Sequence, residues 1–142
     1  MIKPKKSLGQ NFLIDDGILK KIVELIDLNN QSVLEIGPGS GNLTSYILRN
    51  NPKKVIVIEK DDNLVLGLKE KFKNQLTIIN KDVLNINENL LFNEKAIVFG
   101  NLPYNISTEI LSKWIINLDN GFWFNTLILM FQKEVADRII AN

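Results

Sequence analysis

Five short apolar runs, mostly separated by stretches of helical spacing, constrain this chain more than any other feature. They are Ser32-Val33-Leu34-Glu35-Ile36, Val55-Ile56-Val57-Ile58, Leu76-Thr77-Ile78-Ile79, Ala96-Ile97-Val98-Phe99 and Leu127-Ile128-Leu129-Met130-Phe131. Their β-branched content and length suit strands buried on both faces. Before the first run, Ile18, Leu19, Ile22, Val23 and Ile26 recur at helical spacing behind Asp15 and Asp16, which can cap a helix. Helices are also predicted over 42–48 and 63–72, through Ile110, Leu111, Trp114 and Ile115 with Ser107 or Thr108 as cap, and from Glu134 onward. Strand–helix alternation of this kind predicts an α/β fold, a parallel sheet with helices on both faces. Ligands of such sheets sit outside the carboxyl ends of the strands. Gly37, Glu59, Asp82 and Asn101 all fall at those ends.

The 142 residues suffice for one domain with its own core, and 45% hydrophobic with 23% charged residues is ordinary for a globular chain. Cys and His are both absent, which excludes disulfides, Cys/His metal sites, thiol nucleophiles and histidine bases. Any catalysis must use carboxylates, amides, hydroxyls or the backbone, and no metal is expected. A net charge of +1 gives no whole-chain basic field, although Lys3, Lys5 and Lys6 crowd the start. Residues 1–14 read as a flexible basic arm, and 15–142 as the ligand-binding domain. The longest apolar runs are too short for a bilayer span, and the basic start leads into no apolar signal segment. A cytoplasmic location is therefore expected, with no membrane partner.

The loop Glu35-Ile36-Gly37-Pro38-Gly39-Ser40-Gly41 has the glycines for a tight turn and close backbone approach to a ligand. Its G-x-G-x-G spacing differs from the G-x-G-x-x-G of dinucleotide enzymes, and it also suits a plain strand-to-helix turn. Glu59 can accept both hydroxyls of a ribose, or it can be a solvated strand-end charge beside Lys60, Asp61 and Asp62. Asp82 can accept from an adenine amino group; a turn or helix cap is the commoner use of a lone Asp. In Asn101-Leu102-Pro103-Tyr104, Pro103 fixes its own φ and biases Leu102 to extended geometry. The Asn101 amide oxygen and a rigid backbone carbonyl can each take an N–H of a planar exocyclic amine. Tyr104 can stack on the base, a contact worth roughly 1–3 kcal/mol. Gln132 and Lys133 are candidate substrate contacts or simply a strand exit.

With these motifs in place, the chain resembles the N-terminal part of the ribosomal RNA adenine N6,N6-dimethyltransferase family. The resemblance runs through residues 7–13, 33–44, 58–61, 80–84, 101–107 and 131–139. It implies a Rossmann-like class I methyltransferase fold, truncated here after about five strands. It also implies S-adenosylmethionine as cofactor, held by Asn11, Leu13, Gly37, Glu59, Asp82 and Asn101. Asn101, Leu102, Pro103 and Tyr104 would form the target-adenine site. The implied partner is small-subunit (16S) ribosomal RNA in the pre-30S particle, dimethylated at two adjacent adenines during ribosome biogenesis. Large-subunit RNA methyltransferases of the macrolide-resistance type share this framework, and a non-catalytic ribosome-assembly factor could keep it too. The glycine spacing and the lack of a proton-relay His weigh against a nicotinamide-dependent dehydrogenase. Family members continue with further strands and a helical C-terminal domain, including an aromatic residue opposite Tyr104. As a fragment, the chain is expected to be inactive or weakly active alone, and to self-associate through an unprotected fifth strand.

Overall fold

The computed structural model describes residues 14–102, 106–116 and 121–141. The elements are α1 (Asp16–Val23), β1 (Ser32–Ile36), α2 (Asn42–Arg49), β2 (Lys54–Ile58), α3 (Asp62–Phe72), β3 (Thr77–Ile79), β4 (Ala96–Asn101), α4 (Ser107–Ile116), β5 (Phe124–Met130) and α5 (Lys133–Ile140). Two single 3₁₀ turns, Val83–Asn85 and Glu88–Leu90, lie in the β3–β4 crossover. All five strands are parallel, in the order β3-β2-β1-β4-β5. Chain order runs outward from β1 through β2 to β3, returns to β4 and continues to β5, so the direction reverses between β1 and β4.

Alternation along the strands sorts the core into two layers. Val33, Val55, Val57, Ile97 and Phe99 face Leu19 and Val23 of α1 and Leu43 and Ile47 of α2. Leu34, Ile36, Ile56, Ile58 and Val98 face the other way, onto Ile110 and Trp114 of α4 and Val83 of the crossover. Both faces are covered, which is why these strands read as continuous apolar runs.

The helix starts follow local chemistry. Asp15 caps α1 by accepting from the Ile18 N–H at 2.9 Å, and Asp61 caps α3 by accepting from Asn63 at 3.0 Å. Ser107, a candidate cap for α4, is instead the first helical residue and is buried. Ile18, expected on the apolar face of α1, is 47% exposed. The helix closes at Val23 and buries the narrow stripe Leu19–Val23 against the sheet and α2, which leaves Ile18 off that stripe. The fifth strand starts at Phe124, three residues before the apolar run. The cause is a register shift: Ala96 pairs with Phe124 but Ile97 with Thr126, so Asn125 is the extra residue of a bulge. Asn125 and Thr126 break the hydrophobic pattern and hide the strand start in the sequence.

Candidate functional site

The reversal between β1 and β4 is a topological switch point, and open α/β sheets bind ligands at the carboxyl ends of the strands there. Register brings three of the sequence-selected residues to that edge. Ile36 pairs with Ile58 on one side and Gly100 on the other, so Gly37, Glu59 and Asn101 follow side by side. Gly37 sits at φ +65°, donates its N–H to the Ile58 carbonyl at 2.9 Å, and would bring a Cβ within 3.4 Å of the Asn101 carbonyl oxygen. The chain then turns tightly, with the Gly41 N–H on the Pro38 carbonyl at 2.9 Å. Gly41 caps α2 at φ +75°, and a Cβ there would lie 2.5 Å from the Phe72 ring of α3. Glycine is thus required at this turn by both backbone conformation and space.

Glu59 is buried rather than solvated at its strand end, at 7% exposure. Its Oε1 accepts the Asp61 N–H at 2.9 Å and its Oε2 accepts the Gly39 N–H at 3.3 Å. Burial pushes the carboxyl above its ordinary value, and the backbone N–H groups of Asp61, Gly39 and Lys60 oppose that rise. An ionised carboxylate has about four lone-pair sites, so acceptor capacity remains on a side chain already oriented by the glycine loop. That donor-poor, acceptor-rich arrangement fits a ribose diol.

Asp82 does what a lone Asp usually does, and more. Its Oδ1 caps the Val83–Asn85 turn through the Leu84 N–H at 3.0 Å, and its Oδ2 pairs with Lys60 at 2.7 Å. The hydrogen bond from Lys60 holds its carboxyl below the ordinary value. The Glu59 N–H donates to the Ile79 carbonyl and Asn80 Nδ2 to the Glu59 carbonyl, so the β3 exit that carries Asp82 is tied to Glu59. Asn101 is the last residue of β4 and pairs with Met130. Leu102 is 6% exposed and its side chain packs with the α4 face of the core, so any contact it makes with a ligand would come from its backbone. Asn11, Leu13, Pro103 and Tyr104 lie outside the described residues, as does the basic arm apart from Ile14.

Sequence reasoning gave no role to a polar group behind the glycine loop. Glu35, 1% exposed in β1, accepts from Thr44 Oγ1 of α2 at 2.6 Å. Burial raises its carboxyl to about 7, against the Thr44 hydrogen bond; neighbouring Glu59 adds to the rise and Lys71 opposes it. Lys71, on α3, donates to the Ser40 and Gly41 carbonyls, both at 3.1 Å, and so closes the loop from outside. A carboxylate inside an apolar strand run was the available signal for Glu35. Nothing in the local pattern marks Lys71, which reaches the loop only through the packing of α3.

Comparisons with known proteins agree with this fold. The family described as ribosomal RNA adenine dimethylase matches residues 1–142. Among curated proteins, "Ribosomal RNA small subunit methyltransferase A" of Pelagibacter ubique is 64% identical over 141 residues, 99% of this chain and 54% of its own length. The protein of the same name from a Wolbachia of Drosophila simulans is 48% identical, with 100% of this chain and 53% of its own length covered. The chain spans about half the length of these relatives. Among solved structures, a dimethyladenosine transferase from Plasmodium falciparum superposes with TM-score 0.78 at 34% identity, covering 93% of this chain and 47% of that one. The 23S rRNA methyltransferase ErmE gives TM-score 0.74 at 29% identity, covering 89% and 50%. With the family match over its whole length and relatives this similar, the chain belongs to the ribosomal RNA adenine dimethylase family.

Proposed function

We propose that this chain is the cofactor-binding half of an S-adenosylmethionine-dependent enzyme that dimethylates N6 of two adjacent adenines in small-subunit ribosomal RNA. One observation carries the reading: the glycine loop, an oriented buried carboxylate at Glu59, and Asn101 stand side by side at the switch point of the sheet. The names of the relatives favour small-subunit RNA over the large-subunit RNA named for ErmE, which is less similar. No helix among the described residues is long and apolar enough to cross a membrane. A ribosomal RNA substrate would put the enzyme in the cytoplasm, with the pre-30S particle as partner.

In this reading S-adenosylmethionine, when bound, supplies an electrophilic sulfonium methyl. Glu59 holds the ribose, Asp82 accepts from the adenine amino group of the cofactor, and Gly37 lets the backbone lie close to it. Asn11 and Leu13 complete the cofactor contacts from the N-terminal arm. The target adenine must be unpaired or flipped out, at a cost of a few kcal/mol. Its exocyclic nitrogen is a poor nucleophile because its lone pair is delocalised into the ring. The Asn101 side-chain oxygen and a carbonyl of the Leu102-Pro103 segment accept hydrogen bonds from its two N–H groups, favour a pyramidal nitrogen and aim the lone pair. Tyr104 stacks on the base. No strong general base is needed, which suits a chain without His or Cys.

Calorimetric titration of the chain tests the cofactor half: saturable binding of S-adenosylmethionine is expected and none of NAD, whereas NAD binding would overturn the reading. Glu59→Gln exchanges one of the two acceptor oxygens for a donor, and its expected effect is about tenfold weaker binding. Unchanged affinity would remove Glu59 from the ribose site. We also propose that β5, which pairs only with β4 among the described residues, drives self-association of the 142-residue chain. Light scattering at rising concentration should show dimers or larger species, and a monodisperse monomer would contradict it.

A further inference from the structure

The crossover that follows Asp82 is tied to α4 by a largely buried knot. The Lys113 ammonium donates to the Val83 carbonyl at 2.8 Å, to the Ile86 carbonyl, and to both carboxylate oxygens of Glu88 at 2.9 Å. The Glu88 side chain is 4% exposed, and its Oε1 also accepts the Trp114 indole N–H at 2.8 Å. An ammonium has three donors, and here they converge on acceptors from one stretch, residues 83–90. That stretch begins directly after Asp82, whose Oδ1 caps its first turn. The lysine itself sits on the helix that follows Asn101-Leu102-Pro103-Tyr104. The charge of Lys113 also contributes, after Lys60, to holding the Asp82 carboxyl below its ordinary value.

We propose that Lys113 is a positioning residue that fixes Asp82 against α4, and so sets where the adenine end of the cofactor lies relative to the amine-binding loop. This rests on the cofactor reading given above for Asp82. The sheet alone does not fix Asp82: β3 ends at Ile79, and Asp82 stands three residues beyond the last ladder pair. The β3 exit is tied to Glu59 through Asn80, and the Lys60 pair reaches Asp82 through an exposed side chain. The buried anchor on the other side is the knot.

Removing Lys113 alone would strand the buried Glu88 charge and risk the fold. The test variant is therefore Lys113→Met with Glu88→Gln, which leaves no unpaired charge and keeps an acceptor for Trp114. The probe is 5′-deoxy-5′-methylthioadenosine, which carries the adenine and ribose but no amino-acid end, titrated calorimetrically into the chain. Circular dichroism checks the fold of each variant. The double variant is expected to bind about tenfold more weakly than the unaltered chain. In the Asp82→Ala background, the same pair of changes is expected to cost less than twofold, because the group they position is gone. Lys113→Arg, which keeps charge and donors, is expected to stay within about threefold of the unaltered chain. An equal loss with and without Asp82 would mean a general structural role and overturn the proposal, as would no loss at all. Failure of the unaltered chain to bind the probe would overturn the cofactor reading first, and the proposal with it.

Discussion

Asn101→Ala should reduce methyl transfer about 10²–10³-fold while leaving most of the affinity for S-adenosylmethionine in place. Asn101 ends β4 at the switch point, beside Gly37, so its side chain is carried on a strand in register with both neighbours. In the proposed reaction its oxygen holds one hydrogen of the target amine, an interaction that strengthens as the nitrogen becomes pyramidal. Loss of one such preorganised group costs about 3–4 kcal/mol in comparable sites. In the proposed site, binding of the cofactor leans on Glu59, Asp82 and the glycine loop as well, so it should suffer far less. The measurement is single-turnover methylation, alongside calorimetry, in a chimera that joins this chain to the remaining half of the Pelagibacter relative. Turnover within a few-fold of the unaltered chimera would refute the role of Asn101.

The second large effect concerns stability. Glu35→Gln should stabilise the chain above pH 7 by about 3 kcal/mol and have little effect near pH 5. The Glu35 carboxyl is raised by burial from its ordinary 4.5 to about 7. Between those values the folded state keeps a proton that the unfolded state has released. Stability from this group is therefore fully present below about pH 4.5 and is lost as pH rises through about 7. An ionisation moved that far corresponds to about 3 kcal/mol. Glutamine cannot ionise and still accepts from Thr44 Oγ1, so it matches the neutral acid at low pH and avoids the buried charge at high pH. Glu59, just beyond the end of β2, and Lys71 on α3 act on the same group, and both remain in the variant. Denaturant melts at pH 5 and pH 8 should show the gap between variant and parent widening by about 2–3 kcal/mol; parallel curves would show that Glu35 does not titrate in this range.

These two residues also show where the sequence is readable and where it is not. The strands β1, β2 and β4 were legible because both faces of the sheet are buried there, so each is a largely apolar run whose end is marked by a glycine or polar residue. Gly37, Glu59 and Asn101 were legible for the same reason: a parallel sheet aligns strand ends, and register then makes them neighbours. The start of β5 was not legible, because the bulge at Asn125 puts polar residues inside the strand. Asp82 was open between cap and ligand contact, and in the structure it serves as a cap and as the partner of Lys60. The Lys113–Glu88 pair spans 25 positions and joins an irregular crossover to a helix. No periodicity links the two; the packing of α4 against the crossover brings them together.

The most direct test of the proposed function is mass spectrometry of nuclease fragments of ribosomal RNA treated with that chimera and S-adenosylmethionine. N6,N6-dimethyladenosine is expected at two adjacent positions of the small-subunit RNA, lost with Asn101→Ala. Methylation confined to large-subunit RNA, or none on either RNA by a folded chimera that binds the cofactor, would contradict it.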